Sequence, residues 1–447
     1  MSLTRRLPRL WLVIGLIGFC FAPSMANAED TPAAKQPTEA TAAKTTESPT
    51  AAVDKAIRFY QLRIEKQPKS GLDYIHLAQH YVRKAKDHGD ESCFALAQQA
   101  LEKALELWPN DPKALLAIAS VHCSRHQFRS GLEAAQKAFE RDPVTLDALA
   151  VVADAQMELG EYEAAEATLK RITEKVTTPA PGLWVRQAHL AEIKGETDSA
   201  LDFLKRAEAE VLKGKQGRPI PPRLVWYQVR LGHFYLDHGK LEEAAQKLEP
   251  AVAAQPEYFL ARAGLAELRS AQGRYEDALA EYQRTIGLVP DPIFFMAAGD
   301  IHAKLGRADE ARQQYDHAEK LIVESDATPA EYSRELSQFY SNRNLKPARA
   351  LELAKTDLTF RQDIHGHDAL AWALYRNERY ADAAAAIEQA LRWGTKEAKL
   401  HYHAGMICVR LGQAERARTH LQQALSINPK FSVLEADEAR KTLDELP

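Results

Sequence analysis

The chain has 447 residues, 45% hydrophobic and 27% charged, with a formal net charge of −4. Removing residues 1–28, which hold Arg5, Arg6 and Arg9 and no acid, takes that charge to −7, so no electrostatic pull toward nucleic acid or an anionic membrane is expected. Four cysteines exclude a disulfide-dense scaffold, and 21 glycines are too few for large β-propellers or Gly-rich nucleotide folds.

The first element, residues 1–28, reads as a secretory signal peptide. Arg5, Arg6 and Arg9 form a positive head, Leu10 to Ala22 is a 13-residue apolar stretch, and Ala26-Asn27-Ala28 puts small residues where a signal peptidase reads them. Such a stretch rises about 20 Å as a helix, short of a ~30 Å hydrocarbon core, which favours cleavage over anchoring. Phe19 before Cys20 argues against lipidation, and Pro8 spoils a twin-arginine pattern. The expected address is the periplasm, with no stable membrane insertion after cleavage. Residues 29–51 are Thr, Ala, Pro, Glu and Lys with little to bury, so they read as a disordered linker. A leading helix is expected over 52–70, and an amphipathic capping helix over 432–447.

Between them a fixed period rules the sequence. In units of about 34 residues, one column reads Ala97, Gly131, Ala165, Ala200, Ala244, Ala278, Ala311, Ala350, Ala383 and Ala417. Twelve residues earlier stands a second small column, Ala119, Ala153, Ala188, Gly232, Ala266, Gly299, Ala371 and Gly405, with Gln338 as the exception. A glycine lies between the two columns in six units: Gly160, Gly195, Gly239, Gly273, Gly306 and Gly412. Larger side chains such as Leu169, Leu248, Tyr315 and Leu421 follow the first column by four residues, and Pro109, Pro143, Pro256, Pro290 and Pro429 close five units. The spacing predicts two helices per unit. Glycine ends the first helix in a left-handed conformation, small residues let the backbones approach, and proline stops the second. No such unit buries its apolar stripe alone, so stacking is obligatory.

Units such as Gln228-x-x-Leu231-Gly232-x-x-Tyr235, followed by Gly239, Ala244, Leu248, Ala251 and Pro256, resemble tetratricopeptide repeats. Ten are expected: 71–111, 112–145, 146–179, 181–214, 225–258, 259–291, 292–325, 331–363, 364–397 and 398–431. The fourth and fifth are separated by the insert Lys213–Pro222, and the eighth is degenerate, with Ser337-Gln338 in place of Leu-Gly. The strings Asp368-Ala369-Leu370-Ala371-Trp372-Ala373-Leu374-Tyr375 and His401-Tyr402-His403-Ala404-Gly405-Met406-Ile407 resemble the C-terminal end of exported bacterial members of the family.

The resemblance implies an all-α, right-handed α-solenoid whose concave wall is lined by the first helix of each unit, at positions 2, 5, 9 and 12. Carried onto this sequence, those positions give Gln79, Asp154 and His189 in the N-terminal half. In the C-terminal half they give Trp226, His233, Met296, Tyr332, Phe339, Trp372, Tyr375, Tyr402 and Met406. Aromatic and methionine side chains suit a desolvated partner segment, so this half is the expected partner-binding groove for a protein or peptide; the alternative is packing between neighbouring helices. The Lys and Asn pattern of a carboxylate clamp is absent from the inward positions Leu72, Ile75, Gln79, Lys113, Leu116 and Ser120.

Three groups of histidines have metal-ligand spacing: His122 with His126, His76 with His80, and His365, His367, His401 and His403 beside Asp363 and Asp368. The last is the strongest metal candidate, against a structural role in the inter-helix seam. Cys93 and Cys123 lie on neighbouring antiparallel helices, so a disulfide between them competes with two buried thiols; Cys408 is left over. There is no Gly-x-Ser-x-Gly, no phosphate-binding Gly-Lys-Ser/Thr loop and no Cys-x-x-Cys, and no stretch outside the repeats is long enough for a catalytic domain. The expectation is an exported interaction scaffold without enzymatic activity or cofactor. Two rivals are a periplasmic metal-handling protein and an accessory subunit of envelope or polysaccharide assembly.

Overall fold

The computed structural model of the chain describes residues 49–90, 92–213, 222–323 and 329–447. The signal segment, nearly all of the linker and most of the 213–222 insert lie outside these residues. Among the described residues there are 22 helices and no strand. The leading helix α1 (Pro49–Lys66) starts three residues inside the stretch read as linker, so Pro49, Thr50 and Ala51 extend the helix of the following segment.

Ten hairpins follow, each formed by two consecutive helices. They are α2 (Gly71–His88) and α3 (Ser92–Leu107), α4 (Pro112–Ser124) and α5 (Phe128–Arg141), α6 (Leu146–Glu158) and α7 (Tyr162–Lys175), α8 (Pro181–Ile193) and α9 (Thr197–Leu212), and α10 (Pro222–Asp237) and α11 (Leu241–Ala254). The second half has α12 (Phe259–Ala271) and α13 (Tyr275–Leu288), α14 (Pro292–Lys304) and α15 (Ala308–Val323), α16 (Pro329–Asn342) and α17 (Pro347–Asp357), α18 (Ile364–Arg376) and α19 (Tyr380–Leu391), and α20 (Ala398–Arg410) and α21 (Ala414–Ile427). The cap is α22 (Glu435–Glu445).

The two small columns form the seam inside each hairpin. Every member of the first column is buried. A Cβ placed on Gly232, Gly299 or Gly405 would lie within 2.3–2.7 Å of Leu248, Tyr315 or Leu421, so the large residue that follows the first column fills the space over the missing side chain. The eighth unit obeys the same rule with a shifted frame. Ser337, not Gln338, is fully buried there, and its Oγ donates to the Ala350 carbonyl at 2.8 Å. One extra turn residue absorbs the shift, with Asn344 and Lys346 both at positive φ. His126 (φ 57°) and Glu378 (φ 59°) take the left-handed turn position in the second and ninth units, where no glycine stands.

The array coils far enough to meet itself. The turns inside units 3, 4 and 5 touch the connections that follow units 8, 9 and 10. A Cβ on Gly160 would come 2.2 Å from the Gln362 carbonyl oxygen, and one on Gly195 would come 2.0 Å from that of Gly394. The Ile364 N–H donates to the Tyr162 hydroxyl at 2.9 Å, and Asn428 Nδ2 donates to the Leu236 carbonyl at 2.8 Å. Tyr162 also meets Trp393 edge to face at 5.3 Å. One apolar cluster accordingly runs from Leu149 through Phe234 to Leu374 and Ile407, joining units 3–6 to units 9 and 10. The fold is an all-α solenoid with its superhelical turns in contact.

Candidate functional site

The side chains expected on the inner wall lie on the first helix of each unit. What those side chains do differs from the sequence expectation. Trp372 is 1% exposed and Tyr402 fully buried, while His233, Met296, Tyr332, Phe339 and Met406 are also buried; Trp226 and Tyr375 are half-buried. The set expected as a partner-binding groove is therefore largely buried between neighbouring helices, the alternative given for it, and in units 9 and 10 also by the C-terminal segment. Leu443, Leu446 and Phe431 pack on Trp372, Tyr402 and Met406 beside the buried Ala439. Trp372 is further sandwiched by Tyr375 at 4.5 Å and His403 at 4.1 Å.

α22 caps the array, packing on α21 through Ala439 and Leu443 beside Leu421 and Ala424, and it also reaches unit 7. Asp437 pairs with Lys304 at the end of α14, the Tyr402 hydroxyl of α20 donates to Glu438 at 2.7 Å, and Val433, just before α22, joins the apolar cluster of Phe259, Phe294 and Ile301. A half-open cavity of about 220 Å³ remains between this segment and units 5–7, lined by the charged Asp237, Glu267, Asp300 and Arg440 as well as by Ile301 and Val433.

The same register carries a row of acids that the aromatic pattern obscured. Glu267 and Asp300 stand at position 9, and Glu335 and Asp368 at position 5, of units 6 to 9. They were legible from the spacing already used; the missing step was to read every unit for charge as well as for rings. Asp300 is held by Arg343 and by the Tyr315 hydroxyl. Nearby, burial followed by Glu192 and Glu267 pushes Asp237 up to about 7, against the pull of His233 and Arg230.

Where the superhelical turns meet, the charges are buried and bonded. Arg334, 1% exposed, donates to Asp357 at 2.8 Å and to both Asp363 oxygens at 2.7 and 2.9 Å. Arg361 donates to Asp357 at 2.7 Å. Burial opposes ionisation of Asp363, but Arg334 outweighs it and holds the carboxyl below its ordinary range. Glu158, on the facing turn, is pushed up to about 8 by burial and then by Asp363. Between units 3 and 4, Arg186 of α8 grips Asp154 of α6 with two bonds of 2.7 and 2.8 Å.

The C-terminal histidines do not converge on a metal site. His365 faces Glu397 at 3.4 Å, His401 contacts His420 at 3.2 Å and the Thr395 carbonyl at 3.3 Å, and His403 bonds Asp368 at 2.7 Å through Nδ1. His367 is half-buried, and burial lowers its pKa. Burial also lowers His365 to about 4 and, with His420, His401 to about 4. Among the described residues no group of three or more ligating side chains is placed to hold a metal ion. His126 is the left-handed turn residue, stacked on Phe128 at 5.6 Å, while His122 bonds Gln127 at 2.7 Å. His76 and His80 both stack on Tyr60, at 5.3 and 5.4 Å.

The expected Cys93–Cys123 disulfide is also corrected, because both are free, buried thiols, as is Cys408. Cys93 packs into its own hairpin among Phe94, Ala97 and Ile75. Cys123 turns its Sγ toward Gly131 of its own hairpin instead. Burial and then Asp90 push the Cys93 thiol up to about 12, as fits an inert core residue.

A tetratricopeptide repeat model matches residues 152–211, 229–291, 265–322 and 369–430, and a model of anaphase-promoting complex, cyclosome, subunit 3 matches 90–172. No curated protein matches by sequence. Among solved structures, the Cut9-Hcn1 hetero-tetramer of the APC/C is 14% identical (89% of this chain, 97% of that one, TM-score 0.34). Yeast Tom70 is 12% identical (85% and 96%, TM-score 0.33). A tetratricopeptide repeat protein from Parabacteroides merdae is 18% identical (59% and 97%, TM-score 0.34). With its ten stacked hairpins, buried small columns and left-handed inter-helix turns, the chain belongs to the tetratricopeptide repeat family.

Proposed function

We propose that this protein is an exported scaffold that holds a partner protein or peptide segment against the inner wall of its superhelix. Repeat solenoids bind through extended concave surfaces, and among the described residues every helix except α1 and α22 belongs to a hairpin of the array. The observation that carries the reading is the array of ten stacked hairpins, with the rings Trp226 and Tyr375 on first helices of units 5 and 9 left half-buried. Buried aromatics with a polar rim are what a helix-in-groove interface uses. Export rests on the positive head, apolar stretch and Ala26-Asn27-Ala28 of residues 1–28.

The test is site-specific photo-crosslinking in the native cell. A crosslinker at the half-buried inner positions Trp226 and Tyr375 is expected to trap a defined protein, whereas one at the outward Glu163 does not. Identical products from all three positions would overturn inner-wall binding. Mass spectrometry of the periplasmic fraction is expected to find a chain starting at Glu29; an intact Met1 terminus in the cytoplasmic fraction would overturn export.

A further inference from the structure

Where unit 3 touches the end of unit 8, the buried charges do not balance. Gly160 lies against the Gln362 carbonyl, and the Tyr162 hydroxyl accepts the Ile364 N–H. Around this contact stand two guanidinium groups, Arg334 and Arg361, and four carboxyls, Asp357, Asp363, Glu335 and Glu158, each at most 6% exposed. The guanidinium groups satisfy only two of the four. Arg334 bonds Asp357 and both oxygens of Asp363, and Arg361 bonds Asp357. Both Glu335 oxygens lack a hydrogen-bond partner, with Arg361 standing off at 3.7 Å. Among the described residues Glu158 has neither a hydrogen bond nor an ion pair.

No neighbouring element supplies Glu158 with a cation of its own. Asp154, one turn back on α6, is held by Arg186 of α8. On α5, Arg129 pairs with Glu161, and on α4, His122 bonds Gln127. Burial lowers His189 of α8 to about 3 and His365 of α18 to about 4, so both are neutral above pH 5. Burial raises the Tyr162 phenol, which stays neutral too. An ionised carboxylate buried without a partner is costly, so Glu158 holds a proton here. Five of the six groups belong to unit 8 and the connection after it; Glu158 alone comes from the facing turn. Parting the turns therefore hydrates Glu158 and leaves the other five together.

We propose that the contact between superhelical turns is a proton-operated latch. Glu158 keeps its proton while the turns touch, and losing it parts them, so the coil is closed in acid and loosens as the pH rises. The latch does not depend on the scaffold reading above. Its sign follows from the two forms. In the open form Glu158 titrates near its ordinary 4.5; in the closed form burial and then Asp363 push it up to about 8. The closed form thus binds the extra proton between these values. The ratio of closed to open is highest below the lower one and falls by up to about tenfold per pH unit toward the upper one.

The test is hydrogen exchange on the full chain from pH 5 to pH 8, expressed as protection relative to an unstructured amide. The Ile364 N–H reports the contact, because it donates across it rather than within α18. The Ala119 amide of α4, in a unit outside the contact, is the reference. In the wild type, Ile364 protection is expected to fall by at least about tenfold over this range, with Ala119 constant within about threefold. Constant protection at Ile364, or an equal fall at Ala119, would overturn the latch, and this comparison uses no variant. Glu158→Gln is expected to keep Ile364 protection constant within about threefold. Glu335→Gln, inside unit 8, is expected to leave the wild-type fall in place. A fall that persists in Glu158→Gln, or that vanishes in Glu335→Gln, would assign the proton to another group and overturn the proposal.

Discussion

The contact between superhelical turns can be isolated with two glycines. Gly195 and Gly273 occupy equivalent turns, at φ +70° and +77°. A Cβ on Gly273 meets nothing within 4 Å, whereas one on Gly195 would lie 2.0 Å from the Gly394 carbonyl oxygen. Gly273→Ala therefore costs only the left-handed backbone, about 1–2 kcal/mol. Gly195→Ala costs the same strain plus the clash. An ordinary contact begins near 3.4 Å, so the two turns must part by more than an ångström. Overpacking of that kind costs about 1–3 kcal/mol more, for a total of about 2–5 kcal/mol. The assay is urea unfolding of both variants, followed by hydrogen exchange. Gly195→Ala should unfold at lower urea than Gly273→Ala. It should also speed exchange at the Ile364 N–H, which donates to Tyr162 across the same interface. Gly273→Ala should leave that amide protected. Equal midpoints with equal protection at Ile364 would refute closure of the superhelix and leave an open coil.

Three further outcomes follow from buried groups. Arg334→Met leaves Asp357 and Asp363 without their shared cation and should cost about 3–5 kcal/mol, read as a lowered melting temperature. Glu158 has a folded pKa above its ordinary value of 4.5, so its contribution is most favourable at acid pH and is lost as pH rises toward about 8; Glu158→Gln should flatten that loss, gaining stability at pH 8 and little at pH 4, and a uniform shift across pH would contradict it. Cys93, Cys123 and Cys408 should resist a thiol reagent until the protein unfolds and then all react, whereas a mass lower by two hydrogens before reduction would show a disulfide.

The 34-residue period made the hairpins legible because each small column reports a contact between helices close in sequence. Ala244 against Gly232 or Ala417 against Gly405 needs no knowledge of the rest of the chain. The degenerate eighth unit was legible only in part. Gln338 looked like a break, but Ser337 preserves the close approach once the turn lengthens by one residue. The metal and disulfide readings failed for a related reason. Spacing placed His365, His367, His401 and His403 on neighbouring helices, but rotation about each helix axis decided their partners, and Asp368, Glu397 and His420 were available locally.

Closure of the coil left no periodic trace, because it depends on small rotations summed over five units rather than on any one interface. Its signals were single residues. Gly160 and Gly195 are required twice, once for the positive φ that other turns satisfy with His126 or Glu378, and once for the carbonyl that arrives from a unit about 200 residues away. Burial of the aromatics does not need closure, because Trp372 and Tyr402 pack with Tyr375, His403, Met406 and Leu421 of their own two units and with the C-terminal segment. The cap itself does reach the facing turn, through Asp437 with Lys304 of α14, while Glu438 meets Tyr402 of α20. Loosening the turn contact at Gly195 should therefore release α22 as well, so exchange in α22 should rise in Gly195→Ala and not in Gly273→Ala. If α22 stays as protected as in the wild type while Ile364 is exposed, the cap is held by unit 10 alone, and the facing turn has no part in retaining it.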